Sequence, residues 1–218
     1  MLAAQALGAV PIPLYQDAAS AEFVFPIVNA DVGFAIVEDQ EQVDKLLEIR
    51  DKCPLLTRIW YDDPRGLRNY SEPGLTALDA LIESGRSHAQ ANPGFFDAEV
   101  AKGAPQDMAA MFFTSGTTGN PKGVVHTHFT LLDRAKAGAD FDKLTASEEV
   151  LAYLPPAWIG QNIFSYAQWL ACGYVVNCPE SAATASIDLK EVGPTYYFAP
   201  PRVFEALLTS VTIRMEDA

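Results

Sequence analysis

Apolar and polar positions change period repeatedly along the chain, from short apolar runs typical of strands to the three- and four-residue spacing of helices. Residues 10–14 form a short apolar stretch. Residues 18–29 carry a helical pattern that Pro26 would kink or end. Residues 33–37 (Gly-Phe-Ala-Ile-Val) predict a buried strand. Residues 40–51 predict an amphipathic helix, with Val43, Leu46 and Leu47 at helical spacing. The acidic run from Glu38 to Glu41 is its charged start, favoured there by the helix dipole. A strand at 58–61 and a helix at 75–84, with Leu75, Leu78, Leu81 and Ile82 on one face, follow. Residues 85–108 break the rhythm with Asn92-Pro93-Gly94 and Gly103-Ala104-Pro105, around a short helical piece. Beyond them the alternation resumes. Strands are predicted at 109–113, 149–154, 174–177 and 195–199, with 124–125 extended. Helices are predicted at 129–139, 159–171, 186–192 and 203–212.

Repeated strand–helix alternation with apolar strands predicts an α/β fold of mostly parallel sheets with helices on both faces. It divides the chain into a first α/β part (1–85), a connector (86–108) and a second α/β part (109–218). In such sheets ligands sit at the carboxyl ends of strands. The chemistry-rich segment of this chain lies at such an end, directly after residues 109–113.

Composition narrows the partners. The 218 residues are 49% hydrophobic and 20% charged, as in an ordinary globular protein. Lys plus Arg is 15 and Asp plus Glu is 28, a net charge of −13. That balance argues against non-specific nucleic-acid binding and against docking on anionic membranes. Cys53, Cys172 and Cys178 fit no zinc or redox spacing and read as reduced thiols of a cytoplasmic protein. No apolar run approaches the ~18 residues of a spanning helix. The apolar residues 1–14 lack a basic start and contain Pro11 and Pro13, so no signal peptide is read there.

Thr114-Ser115-Gly116-Thr117-Thr118-Gly119-Asn120-Pro121-Lys122-Gly123 is the most informative stretch. Glycines let backbone N–H groups turn toward one anion, hydroxyls donate further hydrogen bonds, and lysine adds a mobile positive charge. The stretch is suited to wrapping a polyphosphate. It is not a Walker loop, because Pro121 precedes Lys122 and Gly123 follows it, and no helix opens at the lysine. It is not a dinucleotide fingerprint either, since Gly-x-Gly-x-x-Gly is missing. A hairpin-like phosphate clamp remains. His126 and His128 would share one face of a strand, where capping or packing is favoured over metal binding. His88 lies in the connector and carries no argument.

All ten positions of this stretch resemble the signature loop of the AMP-forming adenylating enzymes: acyl-CoA synthetases, adenylation domains and luciferases. Leu154-Pro155-Pro156-Ala157-Trp158-Ile159-Gly160 is similar to the segment beside the acyl pocket in that family, although Pro156 and Trp158 depart from its commoner form. Tyr197-Phe198-Ala199-Pro200-Pro201-Arg202-Val203-Phe204-Glu205 looks like a segment of long-chain fatty acyl-CoA synthetases. Ala4-Gln5-Ala6-Leu7-Gly8-Ala9-Val10-Pro11 resembles another family segment.

The resemblance implies ATP-dependent activation of a fatty-acid carboxylate to acyl-adenylate and then acyl-CoA, as in a long-chain fatty acid–CoA ligase. ATP and coenzyme A would be substrates and Mg²⁺ a cofactor. It implies phosphate binding by Ser115, Gly116, Thr117, Thr118, Gly119 and Lys122, with Thr114 nearest the metal. Trp158 and Gly160 would bind the acyl substrate. The family's Tyr-Gly-x-Thr-Glu motif, ribose aspartate and catalytic lysine have no counterpart in these residues, and residues 2–7 read as a helix already under way. The expectation is an internal piece of a longer cytoplasmic enzyme, inactive by itself, with peripheral membrane contact left open for the parent. Two alternatives remain: an aryl- or amino-acid-adenylating enzyme, and a non-catalytic nucleotide-binding module.

Overall fold

Three small sheets organise residues 1–114 and 121–216, the residues described by the computed structural model. The chain falls into two compact units, Met1–Thr130 with Pro156–Trp158, and Leu131–Pro155 with Ile159–Ala218.

The first unit opens with α1 (Leu2–Ala6) and α2 (Ser20–Asn29). Pro26 does not end α2. It loses one backbone hydrogen bond but packs with Phe23 and Ile27 on the buried face, at i, i+3 and i+4. β1 (Phe34–Val37) is followed by α3 (Gln40–Glu48), a tight 3₁₀ turn (Arg50–Lys52) and β2 (Arg58–Tyr61). The acidic start of α3 has a defined geometry. Asp39 Oδ1 accepts the Glu41 N–H at 2.8 Å, and the Gln42 side chain returns to the Asp39 N–H at 3.2 Å. Glu41 and Lys45 pair at 2.7 Å one turn apart.

β3 (Leu75–Ala77) precedes α4 (Leu78–Ala91). The expected helix at 75 therefore begins three residues late. Leu75, Thr76 and Ala77 instead pair in parallel with Ile59, Trp60 and Tyr61, so ladder bonds win over helical periodicity there. α4 also runs past the expected end at 84, tolerating Gly85, and stops before Asn92-Pro93. The Asn92 side chain donates to the His88 carbonyl at 3.0 Å and helps close it. Beyond α5 (Phe95–Val100) come β4 (Met108–Thr114) and β5 (Lys122–Thr127).

β1, β2 and β3 are parallel neighbours in that order, with Phe34 opposite Arg58 and Val37 opposite Tyr61. One face carries Ala35, Val37, Ile59 and Leu75 onto a core built from Phe23, Ile27, Val43, Leu46, Ile49, Cys53, Leu56 and Leu67. The other face of β1 is open: Phe34 and Ile36 are each 64% exposed. The predicted buried strand is thus buried on one side only.

Most of α6 (His128–Asp142) belongs to the second unit. There β6 (Glu149–Leu151) pairs in parallel with β7 (Val175–Asn177). Between them the chain is helical through α7 (Ile159–Gln161), a π turn (Asn162–Ala167) and α8 (Gln168–Cys172). The helices α9 (Ala185–Val192) and α10 (Pro201–Glu216) follow. No strand forms at 195–199. Only the N–H groups of Thr195 and Tyr196 reach the Glu149 carbonyl, at 3.0 and 3.2 Å. Tyr197 and Phe198 stack instead on Tyr153 and Phe164, and Pro200 and Pro201 have no N–H to extend a ladder. The fold is α/β with three parallel pairings and one antiparallel pairing among the described residues. No helix among them is long and apolar enough to cross a membrane.

Candidate functional site

β4 supplies the anchor of the site. Its Ala109, Ala110 and Phe112 are almost completely buried, at 0%, 0% and 3% exposure. The Met111 N–H donates to the Pro11 carbonyl at 3.2 Å, and Gln5 Nε2 donates to the Ala109 carbonyl at 2.7 Å. Phe113 meets Phe25 edge-on at 6.3 Å. A strand held this firmly gives its carboxyl end a fixed position.

β5 returns antiparallel beside it, with Phe113 opposite Gly123 and Thr114 opposite Lys122. A Cβ at Gly123 would fall 2.8 Å from Met111 Sδ and 3.3 Å from Phe113 Cζ. Glycine therefore lets those two side chains lie across the strand. Directly opposed residues have Cβ atoms about 5 Å apart, so the Thr114 and Lys122 side chains leave the ladder side by side. Both side chains are exposed, and Lys122 has no ion-pair partner among the described residues. The predicted phosphate-binding residues Ser115, Gly116, Thr117, Thr118 and Gly119 lie outside the described residues. The structure thus brings together the two ends of the predicted segment.

The start of α6 locks the far end of β5. Thr127 and Thr130 bond reciprocally: the Thr127 N–H donates to Thr130 Oγ1 at 2.9 Å, and the Thr130 N–H donates to Thr127 Oγ1 at 3.1 Å. The change from strand to helix also separates the two histidines. His126 is in β5 and His128 opens α6, so they do not share a strand face. His126 packs against Phe112 at 5.8 Å, and burial holds its imidazole below the usual pKa. This is a packing role. Among the described residues no three His, Cys, Asp or Glu side chains converge on a metal position.

Trp158 is half-buried and Gly160 is buried. They fall in different units, Trp158 in the first and Gly160 in the second. Within the second unit, Gln161 Oε1 accepts the Leu154 N–H at 3.2 Å and closes the turn before α7.

One feature escaped the periodicity. The helix after Trp158 contains the π turn, and Asn162, Ser165 and Gln168 lie on its buried side. The Tyr174 hydroxyl donates to the Phe164 carbonyl within it. Polar residues three apart on an otherwise apolar helical face were the available signal. Nearby, burial raises the Tyr153 and Tyr174 phenols, and burial together with the Asp142 carboxylate pushes Tyr196 up to about 12.

The family model described as AMP-binding enzyme matches residues 1–217. A Mycobacterium tuberculosis protein provisionally named the fatty-acid–CoA ligase fadD11 is 34% identical over 147 residues, covering 66% of this chain and 25% of that protein. The long-chain-fatty-acid–CoA ligase ACSBG2 of Xenopus laevis is 27% identical over 188 residues, covering 82% of this chain and 24% of its own. Among solved structures, a long-chain-fatty-acid–CoA ligase from Archaeoglobus fulgidus superposes with a TM-score of 0.68 at 16% identity, over 96% of this chain and 38% of that one. At that identity the likeness shows the fold. The chain spans about a quarter of the length of these curated relatives. With the family model matched along almost its whole length, the chain belongs to the AMP-binding enzyme family.

Proposed function

We propose that these residues form the phosphate-binding part of an acid–thiol ligase that activates a fatty-acid carboxylate. In the first step a carboxylate oxygen attacks the α-phosphorus of ATP, and the bond to the leaving pyrophosphate breaks. In the second the thiol sulfur of coenzyme A attacks the acyl carbon, AMP leaves, and the thiol proton passes to solvent. Negative charge builds on the β- and γ-phosphates as they depart. Fixed donors aimed there stabilise it more than they stabilise the ground state.

The observation that carries this reading is the opposed pair Thr114 and Lys122 at the ends of the ten-residue signature. On this reading Ser115, Gly116, Thr117, Thr118, Gly119 and Lys122 cradle the departing phosphates. Thr114 fits Mg²⁺ as one hydroxyl donor, because Mg²⁺ in nucleotide sites takes few protein ligands and is held largely by phosphate oxygens and water. That ion would neutralise phosphate charge when bound. Trp158 and Gly160 border the acyl chain. The fatty-acid names of two relatives support that substrate class over an aryl or amino acid.

Complete turnover belongs, in this proposal, to a cytoplasmic enzyme carrying the rest of the relatives' length. The 218 residues alone bind ATP weakly and form no acyl-CoA. Measuring pyrophosphate release with ATP, Mg²⁺ and palmitate checks this. Robust release by the 218-residue chain would overturn it.

A further inference from the structure

An open cavity of about 730 Å³ lies within the first unit, at the amino ends of β2 and β3. Arg58, the first residue of β2, and Gly74, immediately before β3, both line it. This is the opposite end of the strands from the carboxyl ends where α/β sheets usually take ligands.

Its charge is unlike that of the molecule around it. Arg50 and Arg58 face the cavity against a single carboxylate in its lining, Asp51, in a chain of net charge −13. The two arginines differ. Arg50 is fixed: Nη2 donates to the Pro73 carbonyl and Nη1 lies 3.8 Å from the Glu72 carboxylate. Arg58 has no side-chain hydrogen bond or ion pair among the described residues, so its fork of donors is uncommitted. Cys53 in the cavity wall is buried, and burial raises its thiol pKa, so it adds no negative charge.

The wall has a reason to hold its shape. Gly74 has φ +80°, and a Cβ there would meet the Thr57 carbonyl oxygen at 2.2 Å. The Ile59 N–H donates to the Gly74 carbonyl at 2.9 Å and draws the two backbones together. Pro54 and Pro73, both exposed, add apolar surface.

We propose that this cavity is a second anion site, taking a small organic phosphate whose charged end pairs with Arg58 and whose apolar body rests on Pro54 and Pro73. A guanidinium fork matches phosphate oxygens two at a time. The site is independent of the glycine-rich segment, so its failure and the failure of the ligase reading are separable.

The test is a titration of the ¹⁵N-labelled chain with phenyl phosphate, in a Lys122→Ala background that removes the lysine of the glycine-rich segment. Amide shifts are expected at residues 50–58 and 73–75, and phenol should produce none. Arg58→Ala should weaken binding about tenfold. Arg58→Lys keeps the charge and stem but loses the fork, and serves equally if Arg58→Ala fails to fold: weaker binding supports the site, and unchanged affinity overturns it. Shifts absent from those amides, or reproduced by phenol, also overturn it.

Discussion

The first unit contains two sheets with opposite designs. The parallel sheet β1–β2–β3 rests one face on the apolar core around Val43 and Ile59 and leaves Phe34 and Ile36 in solvent. The antiparallel pair β4–β5 buries β4 deeply and leaves the Thr114 and Lys122 side chains exposed where the two strands end. In the first sheet apolar burial sets stability. In the second, burial of one strand serves to place polar groups of its partner and its own last residue. The contrast separates residues that hold the unit together from exposed polar residues to which the proposed function assigns a ligand.

Truncating the core side of the parallel sheet should have the largest effect. Ile59 is 3% exposed, and Ile59→Ala is expected to lower stability by about 3 kcal/mol in urea unfolding. Ile36→Ala, on the open face of the same sheet, should cost less than about 1 kcal/mol. Equal losses at the two positions would mean that the open face is covered in solution.

A smaller effect is expected where the antiparallel pair hands over to α6. Thr127→Ala removes the reciprocal bond with Thr130 and should cost about 1 kcal/mol, read as a lower melting midpoint. No change would show that α6 is started by other contacts.

The smallest effect concerns His126. Its folded pKa lies below the unfolded value of about 6.5, so the unfolded chain binds the proton more readily. Its contribution is fully present above the unfolded pKa and is lost as pH falls through the folded one. Stability should therefore decline slightly from pH 7 toward 5.5 in the wild type, and less in His126→Phe. Identical slopes in the two proteins would refute the burial of this imidazole.

Where one strong local signal acted alone, the sequence was legible. Val43 and Leu46 marked the buried side of α3, and the acidic run marked its capped start. The ten-residue segment was readable for a different reason: its chemistry needs specific residue types in a fixed order. Local pattern failed where distant partners decided. Leu75–Ala77 fit a helical face but formed a ladder with β2. Residues 195–199 were apolar enough for a strand, yet the aromatic rings found stacking partners and Pro200 and Pro201 blocked extension. The π turn at Asn162–Ala167 shares its spacing closely with an α-helix, so only its buried polar residues could have marked it. At the candidate site, the sequence suggested a hairpin-like turn but not its register, which sets Thr114 opposite Lys122, and the reciprocal Thr127–Thr130 cap depended on the strand ending before His128.

In the proposed function, the segment between Thr114 and Lys122 holds the phosphates of ATP. Equilibrium titration of the 218-residue chain with ATP and Mg²⁺, wild type against Lys122→Ala, tests it most directly. Affinity should be lower by about tenfold in the variant, the loss of one charge-assisted phosphate contact, with the unfolding midpoint unchanged because Lys122 is exposed. Equal affinity in the two proteins would contradict it.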